Sequence, residues 1–245
     1  MKEVLLLAIV SFLSLSLLSQ PIVNIENLRH SGELGVFKSI GLSLNSSRGN
    51  EERDDYKLDL SFAKNNDRYE SLITFNNSKR TKDELLEDKS SFLHARFLKK
   101  LERSFDVETY IQSSKNPFQS YKKRNLAGVG IRLNSKRDYK FGLSVMREIE
   151  ESLLGENIST NRLNLYINKK ILLNGDNSLA TSVFFQPSIN HPSTDYKASI
   201  LMALNIPISE KIKIEIKLSS VLDNDPPDIS EKSNHSFSTN FRYSF

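Results

Sequence analysis

Toward its end the chain alternates apolar and polar side chains so strictly that only an extended strand can use them. Ile212, Ile214, Ile216 and Leu218 fall on one face, and Lys213, Glu215, Lys217 and Ser219 on the other. A helical period of 3.6 residues would scatter both sets around the axis, whereas a period of two gives a strand one apolar and one polar side. The preceding stretch repeats the pattern with Tyr196, Ala198, Ile200, Met202, Leu204 and Ile206, and Pro207-Ile208-Ser209-Glu210 supplies a tight connection, so the two form a hairpin. The last residues do the same: Phe237, Thr239, Phe241, Tyr243 and Phe245 alternate with Ser238, Asn240, Arg242 and Ser244.

This rhythm fills the chain from residue 36 onward. It predicts strands at 36–45, 55–63, 68–76, 91–98, 104–113, 122–133, 139–148, 159–167, 178–186, 194–206, 210–221 and 236–245. Most have the length of about nine to eleven residues that a tilted strand needs to cross a bilayer. Connections of two kinds separate them. Short ones lie near 64–67, 99–103, 134–138 and 207–209, and longer polar ones near 46–54, 77–90, 114–121, 149–158 and 222–235. Two depart from the rule, since 168–177 is long and 187–193 short, and Ile171, Leu172 and Leu173 mark the former as the place of either a further short strand or an error of register. One alternating strand also suits a soluble sheet. Twelve with unequal ends and an aromatic last strand predict an all-β, closed antiparallel transmembrane barrel of the bacterial outer membrane, with both termini in the periplasm. Lipid forbids an unpaired edge, so the first strand must close on the last.

Targeting agrees with export. The apolar run from Val4 to Leu18 follows Lys2 and precedes Ser19, which predicts a signal peptide over 1–19, a periplasmic segment over 20–35 and a barrel over 36–245. The run is shorter than the roughly 20 residues of a spanning helix. A mean hydropathy of −0.41 is compatible with a membrane barrel, which places its apolar residues only at alternate positions. The chain has no Cys, which excludes lipoprotein attachment, disulfides and thiol chemistry. Its net charge of +4 is dispersed with no basic block, so no nucleic-acid partner is expected.

The polar faces carry the chemistry. Arg96, Asp106, Glu108, Arg124, Arg132, Arg162, Lys197, Lys213, Glu215, Lys217 and Arg242 are expected inside. With a turn centred near Leu101, Arg96 faces Asp106 and His94 faces Glu108. Arg96, Asp106, Glu108, Arg124 and Arg132 are therefore the candidate lumen charge cluster. It serves either as neutralising filler or, with its basic excess, as a constriction selecting anions. Gly128 and Gly130, also inward, either relieve crowding or let the wall bend, and they lack the third glycine and following helix of a phosphate loop. Lys38 is the visible charge on the outer face, expected to snorkel at the membrane rim.

No catalytic, cofactor or metal residue is expected. His235 and Ser236 project to opposite faces, and His191-Pro192-Ser193 lies in a loop without a supporting motif. Asp223, Asp225 and Asp228 read as a solvated loop.

Several stretches also resemble a known family: Ile25 to Arg29, Gly41 to Asn45 with Gly49-Asn50, Phe92 to Phe97, Phe105 to Gln112 and Lys123 to Arg132. Over about residues 23–150 the chain is similar to the domain of unknown function 481 family, whose members are described as salt-induced outer-membrane proteins. The resemblance implies an outer-membrane barrel and brings no catalytic or ligand residues. The chain departs from it in having no Trp, notably at Phe105, and in Leu98 where a polar residue is usual. The expected function is a small passive channel or a structural envelope component. The alternatives are a lipid-modifying outer-membrane enzyme and a soluble periplasmic lipid-binding barrel. The expected partners are outer-membrane lipids, small ions or solutes, and the barrel-assembly machinery through the Phe245 strand.

Overall fold

The computed structural model describes residues 34–47, 52–101, 105–116, 121–134, 139–174, 176–227 and 231–244. The leader over 1–19, the segment over 20–33 and Phe245 lie outside them. The described chain forms twelve strands: β1 (Gly35–Ser47), β2 (Arg53–Asn65), β3 (Tyr69–Lys82), β4 (Leu85–Lys100), β5 (Phe105–Asn116), β6 (Tyr121–Asn134), β7 (Tyr139–Glu151), β8 (Asn157–Leu172), β9 (Ser178–Pro187), β10 (Tyr196–Pro207), β11 (Ile212–Asp223) and β12 (Ser233–Ser244). Each pairs antiparallel with its sequence neighbours, and β1 meets β12 to close the barrel. The closing seam runs over the rungs Ser39↔Ser244 to Leu42↔Phe241, the shortest ladder among the described residues.

The alternation places the faces as expected. Apolar rows encircle the outside, as where Ile131, Leu143, Leu165 and Phe185 stand side by side on β6 to β9. All four are at least 39% exposed, an arrangement that water penalises and lipid does not. Outward tyrosines mark both rims of this belt: Tyr69, Tyr139 and Tyr243 at the end where β1 begins and β12 finishes, Tyr56 and Tyr196 at the other. An aromatic girdle at each interface belongs to membrane barrels. Lys38 is exposed on the outside, as expected, but it is not alone. Lys64, Lys99 and Lys169 share its rim, and Lys169 lies 4.2 Å from the centre of the Tyr139 ring.

Three departures from the sequence reading have physical causes. The expected loop over 77–90 is mostly strand. β3 and β4 continue to Lys82 and Leu85 and turn through Asp83 and Glu84 at φ values of 48° and 64°, the double left-handed geometry of a tight hairpin. Beyond the lipid belt a strand needs no apolar face, so its alternation vanishes while its ladder persists. β8 likewise runs on through Ile171 and Leu172, which accounts for the long connection expected there. The β4–β5 register is also shifted. Arg96 faces Tyr110, not Asp106, and His94 faces Gln112, not Glu108.

Inside, Gly128 and Gly130 do relieve crowding. A Cβ at Gly128 would strike the ring of Tyr110, and one at Gly130 would strike Ser144. Gly142 plays the same part beneath Tyr166 and is the tightest of the three. Gly142→Val is expected to cost about 1–3 kcal/mol by overpacking, read as a lower urea midpoint for unfolding from lipid vesicles. An unchanged midpoint would mean that the Tyr166 ring moves aside freely.

Candidate functional site

The lumen divides into two unlike walls. From β4 to β10 it is packed with large side chains: Tyr110, Leu126 and Met146 form one apolar cluster, and Tyr166, Phe184 and Leu201 another. Polar groups fill the gaps and bridge across the barrel. Arg96 Nη2 donates to Glu108 Oε2 at 2.6 Å, and the Tyr166 hydroxyl donates to the same oxygen at 2.8 Å. The guanidinium of Arg96 stands against the faces of both Tyr110 and Tyr166, 5.9 and 5.3 Å from their centres. Asn164 donates to the Tyr110 hydroxyl at 3.2 Å and to Ser144 Oγ at 3.1 Å, while Gln186 donates to Asn164 at 2.9 Å. These links join β4 and β5 to β8 and β9, so this half of the interior is spanned by contacts.

Nearer the end opposite the start of β1 lies a second ionic group. Glu148 on β7 accepts hydrogen bonds from Arg124 on β6 and Arg162 on β8. Lys197 on β10 reaches Glu148 at 3.4 Å, Glu150 at 2.8 Å and Asp223 at 3.0 Å, and Arg162 reaches Asp195 at 2.7 Å. A cavity of about 150 Å³ opens above it between Glu148, Glu150, Arg162, Asp195, Asp225 and Pro226.

The candidate cluster is thus inward throughout but does not form one group. Arg96 pairs with Glu108, while Asp106 lies across from Arg132 on the β5–β6 ladder. Arg124 belongs to the Glu148 group. It stands eight residues from Arg132 along β6, about 26 Å of extended chain, so the two arginines cannot share a constriction. Arg132 is fully buried and Arg124 is 5% exposed.

On the other wall, β11, β12, β1 and β2, small residues recur between charged ones and no cluster of large apolar side chains like those of β5 to β10 forms among the described residues. Ser39, Ser61, Ser219, Ser236 and Ser238 face inward and are all half-buried. Charges sit among them. Glu215 accepts from Lys217 at 2.8 Å and from Arg242 at 3.1 Å, and Arg242 also donates to Ser39 at 3.1 Å. Lys57 lies 3.8 Å from Asp59, whose carboxylate accepts from Asn76.

Sequence reasoning missed Glu148, although it continues the inward row Ser144, Met146 and Glu150. Arg147 and Ile149 on the outside were the signal that the strand ran on. It also missed Lys57 and Asp59, which follow directly from the outward Tyr56, Leu58, Leu60 and Phe62. His235 and Ser236 do lie on opposite faces of β12. Among the described residues no group of His, Asp and Glu has the arrangement of a metal site.

The model of a family described as a protein of unknown function, DUF481, matches residues 40–245. No curated protein is similar to the chain in sequence. Among solved structures, the translocator domain of the autotransporter NalP from Neisseria meningitidis superposes with a TM-score of 0.51 at 12% identity, over 90% of this chain and 91% of that one. The KdgM porin gives 0.47 at 10% identity, over 86% and 99%. The NanC porin gives 0.46 at 13% identity, over 86% and 98%. The first of these shares the fold of an outer-membrane barrel with this chain.

Proposed function

The chain belongs to the DUF481 family, and we propose that it works in the outer membrane as a narrow passive conduit for small ions or solutes, with both termini on the periplasmic side. The observation that carries this is the unevenly filled lumen: one wall is sealed by large side chains while the other presents half-buried serines and lysines. The orientation rests on an even strand count with the termini at the end where most turns are short, the end that faces the periplasm in such barrels. Insertion by the assembly machinery would read the aromatic last strand. The proposal assigns no catalysis.

A structural role in the envelope is the second reading, favoured by the ion-paired packing from β4 to β10. Planar-bilayer recording of the refolded protein separates the two. Discrete conductance steps are expected, and silence from protein shown to be folded would leave the structural role.

A further inference from the structure

We infer that the conduit lies off the barrel axis, along β11, β12, β1 and β2, and that it selects small anions through Lys57, Lys213 and Lys217. The inference rests on the reading of the barrel as a conduit and moves its selective groups away from the arginines.

Side-chain size comes first. The inward positions of β5 to β10 include Tyr110, Leu126, Met146, Tyr166, Phe184 and Leu201, all below 9% exposure. Those of β12 and β1 include Ser236, Ser238, Ser39 and Gly41. Twelve strands lie between the roughly eight whose interior side chains fill and the roughly sixteen or more that leave a wide aqueous channel, so side-chain size decides where space remains. Unequal filling therefore leaves the free space beside the small residues. Exposure agrees: Ser182 and Ser144 on the packed wall are 0% and 2% exposed, whereas the serines of the other wall are half-buried.

The sign of the accessible charge comes second. Asp55, near the rim, is 26% exposed but engaged by Arg53 and Arg80, and Asp223 is 12% exposed and bound to Lys197, while Glu215 and Asp59 deeper in this wall are hidden, with side chains at 0% and 5%. The amines that neutralise them are not, for the side chains of Lys217 and Lys57 are 28% and 23% exposed and Lys213 is half-buried. Arg242, bound to Glu215 and Ser39, is buried and holds Glu215 back from the space. A solute on this path meets ammonium groups and rotatable hydroxyls. Both donate hydrogen bonds to an anion, and the ammonium groups repel cations.

The test is the reversal potential of the full-length barrel in a planar bilayer under a potassium chloride gradient. The wild type is expected to favour chloride. The combined Lys57→Gln, Lys213→Gln and Lys217→Gln variant is expected to lose at least about threefold in the chloride-to-potassium permeability ratio, given what unit charges are worth a few ångströms from water. Lys213→Glu alone, at a half-buried position across from Arg242, is expected to move the ratio the same way. Arg124→Gln, on the sealed wall, should leave it unchanged. Selectivity that follows Arg124 and ignores the lysines would overturn the off-axis path. Conductance that favours potassium would overturn anion selection while leaving the conduit intact. Silence from folded protein would remove both.

Discussion

Glu148→Ala is expected to destabilise the folded barrel by about 3–5 kcal/mol, the range for removing one partner of a buried ion pair. The carboxylate lies beneath Arg124, Arg162 and Lys197, three cations drawn from three strands. Alanine would leave them facing one another, with Glu150, Asp195 and Asp223 each already engaged by Lys197 or Arg162. Glu148→Gln keeps the volume and one acceptor oxygen, so it should recover part of the loss. Urea titration of the protein in lipid vesicles measures both. A change below about 1 kcal/mol for the alanine variant would place this group with exposed pairs, which contribute little.

The second large effect belongs to the outer face. Leu143→Arg, flanked by Ile131 and Leu165 and with Phe141 and Val145 along its own strand, should cost about 2–4 kcal/mol if it meets the bilayer near the midplane. Arginine at Ile149, close to the rim, should cost about 0–1 kcal/mol. Depth dependence is what distinguishes lipid from any soluble environment. Equal costs at the two positions would mean that the apolar belt does not face a bilayer.

The barrel itself was legible because its periodicity is local. Every strand announces itself through residues such as Ile212, Ile214, Ile216 and Leu218, and the parity of each strand decides which side chains face inward. Inwardness was therefore right for Arg96, Asp106, Glu108, Arg124 and Arg132. Which of them meet was not legible, because partnership depends on register, and register depends on where a turn sits. The alternation predicts a strand over 91–98 and a turn centred near Leu101. The strand continues to Lys100, and the pairing moves by four positions, from Asp106 to Tyr110 opposite Arg96.

The difference between the two walls was harder still. The serines of β12 and β1 and the tyrosines of β5 and β8 are ordinary inward residues when each strand is taken alone. Only closure of the ring shows that the small ones are neighbours and the large ones face each other across the interior. Gly142 is hidden for the same reason: its role exists only once Tyr166 lies over it from the next strand.

Because the chain has no cysteine, single Ser→Cys variants report water access without background. The most direct measurement is the rate at which a charged, membrane-impermeant thiol reagent modifies Ser238→Cys and Ser61→Cys on one wall, and Ser144→Cys and Ser182→Cys on the other, in barrels folded in vesicles. Rapid modification of the first pair and protection of the second until unfolding is the predicted result. Equal labelling of both walls, or protection of all four, would contradict a water path along β11, β12, β1 and β2.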